Sequence, residues 1–116
     1  MTIEAILPLA DGTYQVTKNE YGELQLSTSL HYGQGYWVSD DSGVTIEGHL
    51  TDRGVRDALS LMDVQPGETI GVWTDEGITY LDRSYHFLRK DVAIDFGNLY
   101  EQKAIWDCSN KTEIRL

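Results

Sequence analysis

The chain has 116 residues, of which 41% are hydrophobic and 24% are charged, a composition that supports one packed domain and argues against disorder. Nineteen acidic residues outnumber nine Lys and Arg residues, so the formal net charge is −10. Such a surface repels phosphate backbones and anionic lipid headgroups. It therefore disfavours direct binding to nucleic acid or membranes and favours a basic protein partner.

The beginning of the chain does not have the pattern of a secretory signal. Residues 1–10 carry Glu4 but no Lys or Arg, and Pro8 interrupts their apolar run. No stretch of the sequence approaches the apolar length of a membrane-spanning helix. Cys108 is the single cysteine, which excludes an intramolecular disulfide and is typical of a reducing compartment. We expect a cytoplasmic protein with one domain over residues 1–116.

Five turn signals separate short apolar segments and predict a mostly antiparallel sheet. Asp11 and Gly12 separate residues 3–9 from 13–17, and Tyr21 and Gly22 precede an alternating segment that begins at Leu24. The other turn signals, at 41–43, 76–77 and 109–110, separate residues 36–39 from 44–47, 70–74 from 78–81, and 104–107 from 112–116. Loops of Gly, Asn and Asp accept positive φ angles and so close hairpins. The predicted fold class is α+β, with five or more strands built from hairpins.

Two segments, at about residues 51–64 and 88–101, have the periodicity of amphipathic helices. Thr51 or Asp52 can cap the first helix, Pro66 and Gly67 stop it, and the pairs Asp52–Arg56 and Arg53–Asp57 support an exposed face. The apolar stripes predict that the helices are joined to the sheet by Val55, Leu59, Met62, Val92, Phe96 and Leu99.

The three tryptophans of the chain each precede a predicted turn. Trp37, Trp73 and Trp106 stand in similar segments, spaced 36 and 33 residues apart. A period of this length can mark a repeated unit of supersecondary structure. Aromatic residues also suit hairpin strands for their cross-strand packing, so the sequence leaves both a weak internal repeat and ordinary strand composition open.

The excess of acidic residues is concentrated in the middle of the chain. Residues 39–82 carry ten acids and two bases, a net charge of −8, whereas residues 83–116 carry a net charge of +1. Acids spaced along turns and a helix can imitate nucleic-acid phosphates and steer association with a basic groove, or they can merely keep a small protein in solution. The first interpretation predicts contacts with a partner at Asp40, Asp41, Asp52, Asp57, Asp75 and Glu76.

The segment from Asp82 to His86 brings a carboxylate, a hydroxyl and an imidazole close together in the sequence. In an extended conformation Asp82, Ser84 and His86 share one side of the chain and Tyr85 lies on the other. The segment lacks a nucleophile elbow and an evident oxyanion hole, which catalysis by a triad requires. We expect a junction between a strand and the second helix here, and we predict no catalytic residues.

The sequence contains no ligand pattern for a metal or a cofactor. His31, His49 and His86 are isolated, and the acidic loop at residues 40–43 lacks the spaced oxygen ligands of a calcium loop. Gly33 and Gly35 lack the continuation of a phosphate-binding loop. They predict a bend or bulge before a strand, with a recognition loop as the functional alternative.

Residues 72–107 contain three aromatic segments in a defined order. Val72-Trp73-Thr74-Asp75 is followed by Ile78-Thr79-Tyr80-Leu81-Asp82-Arg83-Ser84-Tyr85-His86, by a predicted helix with Ala93, and by Gln102-Lys103-Ala104-Ile105-Trp106-Asp107. In this order the segments resemble small accessory proteins of actinobacterial phages and mobile elements. The resemblance identifies no activity and no functional residue. It implies a class of proteins that includes acidic inhibitors of host restriction or CRISPR systems, some of which mimic DNA.

Three functional hypotheses follow from these patterns. The first is a non-enzymatic acidic protein that docks on a basic host protein, such as a component that processes nucleic acid or defends the host. The second is a small enzyme or ligand-binding domain, which a pocket with strongly perturbed titratable groups would favour. The third is a structural module that self-associates through a sheet edge.

Overall fold

The computed structural model describes residues 9–116, which form eight strands and two helices. In chain order the strands are β1 (Gly12–Lys18), β2 (Leu24–Leu30), β3 (Tyr36–Ser39), β4 (Val44–Glu47), β5 (Thr69–Asp75), β6 (Ile78–Phe87), β7 (Ala104–Asp107) and β8 (Thr112–Arg115). Helix α1 (Asp52–Leu61) lies between β4 and β5, and helix α2 (Lys90–Leu99) lies between β6 and β7. Apart from Leu9, the predicted strand at residues 3–9 lies outside the described residues. Within the described range, no helix is long and apolar enough to cross a bilayer.

The described strands form one antiparallel sheet in the order β2-β1-β5-β6-β3-β7-β8, with β4 paired to another part of β6. Three of the predicted hairpins are present: β1 with β2, β5 with β6, and β7 with β8. Their turns use positive φ angles at Gly22, Glu76, Gly77 and Lys111. The predicted α+β class with a mostly antiparallel sheet is confirmed.

The predicted hairpin between residues 36–39 and 44–47 is wrong, although both strands exist. Strand β4 pairs with the first part of β6, and β3 pairs with the last part of β6 and with β7. The ten residues of β6 offer an edge long enough for both strands. In the loop between them, the Asp40 carboxylate accepts hydrogen bonds from Ser42, so the chain continues along β6 instead of folding back on itself.

Both helices cover the same face of the sheet, over two separate hydrophobic clusters. Helix α1 packs Val55, Leu59 and Met62 against β1, β2, β5 and the first part of β6. Helix α2 packs Ala93 against Val38 and Ile105, in a smaller cluster over β3 and β7. We call this side the helix face and the opposite side of the sheet the open face.

Helix α1 largely matches its prediction. The Thr51 side chain caps it by accepting a hydrogen bond of 3.0 Å from the Gly54 backbone N–H, and the Arg53–Asp57 pair is present at 3.9 Å. The exposed position predicted for Arg56 is wrong, because Arg56 is buried and donates a hydrogen bond of 3.3 Å to Gln25 of β2.

The predicted contact stripe of α2 is wrong at two positions. Val92 and Leu99 are exposed, Leu99 by 73%, while Ala93 and Gly97 are buried against the sheet. An ideal Cβ at Gly97 would lie 3.5 Å from Val38 and 2.5 Å from Leu116. The small residues let the helix approach closely. Phe96, the third predicted position, is partly buried and packs beside them, with its ring centroid 5.1 Å from that of Phe87.

A polar seam separates the two clusters, at the point where β6 passes from one to the other. Arg83 donates hydrogen bonds to Glu68 at 3.1 Å, to Ser42 at 3.0 Å and to the Met62 backbone carbonyl at 2.6 Å. Arg83 therefore ties the end of α1 to the loop after β3 and to the segment before β5.

Candidate functional site

The open face carries all three tryptophans of the chain. Trp37 of β3 pairs with Trp106 of β7 on one side and with His86 of β6 on the other. On β6, Asp82 shares the face of His86 and pairs with Gly71, and Trp73 lies two residues beyond Gly71 on the same face. Trp73 and Trp106 are 48% and 41% exposed, whereas Trp37 is buried.

The open face forms a groove of about 920 Å³, which we call the tryptophan groove and which is lined by Trp37, Trp73, Trp106, Gly71 and Asp82. Along β6 the rows of this face are His86 opposite Trp37, Ser84 opposite Ser39, Asp82 opposite Gly71, and Tyr80 opposite Trp73. From residue 80 to residue 86 the strand rises by about 20 Å. The floor of the groove is therefore small and polar, and both ends are aromatic.

Contacts between aromatic rings hold the Trp37 end of the groove in place. The ring centroid of Trp37 lies 5.2 Å from that of Tyr32 and 5.1 Å from that of His86. His86 Nε2 is also within hydrogen-bond distance, 2.8 Å, of the Gln34 backbone carbonyl. Gly35 has a φ of +84°, and a Cβ there would overlap the His86 ring. The predicted bend before β3 is therefore present, and it places Tyr32 over Trp37.

Asp82 is the titratable group of the groove with the most perturbed pKa. Burial, together with the charge of Asp40, raises the pKa of Asp82 to about 6. Among residues 9–116, no group donates a hydrogen bond to this carboxylate. A Cβ at Gly43 would overlap Asp82, so the glycine makes room for the carboxylate where β6 changes partner from β4 to β3.

The side chains of Ser84 and His86 do not form a catalytic pair. The Ser84 hydroxyl lies 3.3 Å from that of Ser39 and 3.4 Å from the Asp82 carbonyl, while His86 is engaged with Gln34. The predicted junction between a strand and a helix is also misplaced, since residues 82–86 lie within β6. The predicted alternation holds: Asp82, Ser84 and His86 occupy the open face and Tyr85 the helix face.

Three of the six predicted partner-binding acids lie at one end of the molecule. Asp75 and Glu76 form the β5–β6 turn, and the Gly48 N–H donates to the Gly77 carbonyl at 2.9 Å, which brings the segment leading to Asp52 and α1 to the same end. Asp11, which also lines the groove, accepts a hydrogen bond of 3.0 Å from the Thr74 N–H. We call Asp11, Glu47, Asp52, Asp75 and Glu76 the acidic end.

The other three predicted acids lie elsewhere. Asp57 is exposed on α1 and pairs with Arg53, on the side of the sheet opposite the groove. Asp41 is exposed in the loop after β3. Asp40 does not reach outward from that loop, because it accepts hydrogen bonds from Ser42 and, at 2.7 Å, from the Tyr85 hydroxyl. Partial burial raises the pKa of Asp40, but these hydrogen bonds outweigh it and hold the pKa below its usual value.

The sequence reasoning missed the groove itself. Two sequence features are related to the groove: the even spacing that puts Asp82, Ser84 and His86 on one face of β6, and the tryptophans that open three segments. These features do not predict the groove, because the register between distant strands decides whether the three tryptophans share a face. Within the described residues, no three His, Cys, Asp or Glu side chains are grouped as metal ligands.

Comparisons with models of protein families, with curated proteins and with solved structures found no match for this chain.

Proposed function

We propose that the protein is a non-enzymatic binding protein that receives an extended basic segment of a partner in the tryptophan groove. One observation supports this function above all: both helices cover one face of the sheet, and the open face, which no described helix covers, carries three tryptophans beside carboxylates. Exposed aromatic residues that surround a concave surface are typical of the centres of protein interfaces.

The charge around the groove favours a basic partner. The carboxylates of Asp11, Asp82 and Glu113 line it, and Lys111 is the one Lys or Arg among its described lining residues. The acidic end adjoins the groove at Asp11, so its charge would attract a basic segment towards the binding face before contact is made. The net charge of −10 acts in the same direction.

The resemblance of residues 72–107 to phage and mobile-element proteins suggests which partners to try first. Host proteins that process nucleic acid or act in defence carry basic surfaces and meet such accessory proteins in the cytoplasm. An acidic protein can occupy such a surface in place of nucleic acid.

Selection from a random peptide library on the immobilised full chain tests the proposal. We expect enriched peptides to be rich in Lys or Arg and to bind less tightly at high salt. We expect the double variant Trp73→Ala, Trp106→Ala to lose at least about tenfold in affinity for them, because exposed aromatic anchors contribute much of the binding energy of an interface.

The matched control removes exposed apolar side chains from the helix face. Leu61 and Leu99 are 78% and 73% exposed, so the variant Leu61→Ala, Leu99→Ala should bind the selected peptides as the wild type does. Enriched peptides without basic residues, or equal binding by the wild type and both variants, would contradict the proposed function.

A small enzyme or ligand-binding domain is the second candidate, favoured by the perturbed Asp82 in a groove of about 920 Å³. The same selection discriminates between the two. If no peptide is enriched on the wild type, a screen of small cations and sugars by tryptophan fluorescence follows, since all three tryptophans line the groove.

A further inference from the structure

The floor of the tryptophan groove is built differently from its ends. Between the aromatic rows at Trp37 and Trp73 lie two serines, a glycine and the Asp82 carboxylate. Gly71 has no side chain, and the Ser84 hydroxyl occupies the position beside it, because a Cβ at Gly71 would come within 2.7 Å of that oxygen. The glycine therefore lets a hydroxyl group lie on the floor, in the row next to Asp82.

We infer that the floor at Asp82 is a subsite for the guanidinium group of an arginine side chain from the partner. The inference rests on the proposed function, and it names one anchor of the basic segment that the groove would receive. The following observations carry it.

The floor offers several acceptor oxygens to a planar group with several donors. The Asp82 carboxylate has no donor among residues 9–116, and the hydroxyls of Ser39 and Ser84 lie in the next row, 3.3 Å from each other. A guanidinium has five N–H donors in a fixed plane and binds a carboxylate through two parallel hydrogen bonds. It can therefore satisfy the carboxylate and a neighbouring hydroxyl together.

The aromatic end nearer to Asp82 suits the same group. Trp73, two residues beyond Gly71 on β5, exposes ring surface into the groove, and guanidinium groups stack on aromatic rings and are attracted to their faces. The ammonium group of lysine is a compact, strongly hydrated charge, so it gains less from flat ring surfaces and from paired acceptors. These differences favour arginine over lysine.

Among the residues that the structure describes, no cationic group compensates the charge of Asp82. Its burial and the nearby Asp40 charge disfavour the ionised form. Arg83, the next residue, serves the polar seam on the opposite face. A carboxylate that lies in a groove and lowers the stability of the fold is typical of a binding site. A bound cation would provide the positive charge that stabilises its ionised form.

Two labelled peptides of equal length test the subsite by fluorescence anisotropy with the full chain. One carries arginine and the other lysine at the same positions in a glycine–serine background. We expect the wild type to bind the arginine peptide about tenfold more tightly. Asp82→Asn should remove that preference, and Asp57→Asn, which makes the same charge change on the helix face, should keep it.

A second variant changes the space and leaves every charge in place. Gly71→Ala would displace the Ser84 hydroxyl, which would lie 2.7 Å from the new Cβ, and we expect the loss of this acceptor to reduce the preference for arginine as Asp82→Asn does. Circular dichroism establishes that each variant is folded before its affinity is interpreted.

The outcomes separate the subsite from the proposed function. Equal affinity of the wild type for both peptides, or equal behaviour of Asp82→Asn and Asp57→Asn, overturns the arginine subsite. If binding of both peptides still requires Trp73 and Trp106, the proposed function stands. If neither peptide binds the wild type, the result counts against the subsite and the function together.

Discussion

Asp82 and Arg83 are adjacent in the sequence and project to opposite faces of β6, where they meet different electrostatic environments. Arg83 has three hydrogen-bond partners within the polar seam. Asp82 lies in the groove with Gly43 packed against it and with the like charge of Asp40 nearby. Because side chains alternate along a strand, Arg83 stabilises the fold on one face while Asp82 is a candidate binding group on the other.

The raised pKa of Asp82 predicts how this residue affects stability as pH changes. Because its folded pKa of about 6 exceeds the ordinary 3.8, the folded state binds a proton more readily than the unfolded state between these values. Asp82 therefore destabilises the fold progressively as pH rises through this window, and the destabilisation is complete above it.

We predict that Asp82→Asn raises the free energy of unfolding at about pH 7 by about 1 kcal/mol, after allowing for the water that still reaches the carboxylate. The gain should shrink to a small fraction at about pH 3, where the carboxyl group is mostly protonated in both states of the wild type. Urea unfolding of wild type, Asp82→Asn and the exposed control Asp57→Asn at both pH values measures the difference. A gain that is the same at both pH values would contradict the assignment to ionisation.

At the scale of elements, the two helices show when an apolar stripe identifies a buried face. In α1, Val55, Leu59 and Met62 are buried as the stripe predicts. In α2, Phe96 packs against the sheet, but Val92 and Leu99 are exposed, and Ala93 and Gly97 take part in the contact. Periodicity weighs residues by hydrophobicity, whereas close packing of a helix on strands also selects for small size.

We predict a large contrast between two leucine truncations. Leu59 of α1 is fully buried between the helix and the sheet, so Leu59→Ala should lower the free energy of unfolding by about 2–5 kcal/mol. Leu99 is 73% exposed, so Leu99→Ala should change it by less than about 0.5 kcal/mol. Chemical denaturation of both variants provides the measurement. Similar losses of unfolding free energy for the two variants would show that Leu99 packs on the sheet, as the apolar stripe predicts.

At the scale of the whole molecule, charge and aromatic surface are arranged at different places along the open face. The groove holds the three tryptophans and Asp82, whereas the acidic end lies beyond Trp73 at the β5–β6 turn. Exposed charges that lie outside the contact surface affect the association rate more than the affinity of the final complex.

We predict that Asp52→Asn, Asp75→Asn and Glu76→Gln together slow association with a selected basic peptide by about threefold to tenfold at low salt, with little effect on dissociation. The fold should remain as stable or become slightly more so, because like-charge repulsion falls. Asp40 is left unchanged, since its hydrogen bonds with Ser42 and Tyr85 belong to the fold.

Stopped-flow binding compares this variant with a triple control on the helix side, Asp57→Asn, Asp63→Asn and Glu101→Gln. The control makes the same change in net charge. Equal association rates for the two variants would show that the acidic end has no special part in steering.

Local patterns predict the fold class, the hairpins β1–β2, β5–β6 and β7–β8, and the cap and buried stripe of α1. These features depend on residues close together in the chain: turn residues that accept positive φ, alternation along a strand, and helical spacing. The acidity of the chain is equally a property of composition. The predicted partner sites at Asp52, Asp75 and Glu76 are together at one end because a local turn and a short connection place them there.

Three features could be seen only in the folded chain: β3 and β4 share β6, Ala93 and Gly97 join Phe96 in the contact of α2, and the three tryptophans line one groove with Asp82. The physical reason is that the register between strands distant in sequence is set by the packing of the whole sheet against both helices. A shift of one residue in any strand would move its side chains to the other face. The groove therefore exists only once all of these registers are fixed together.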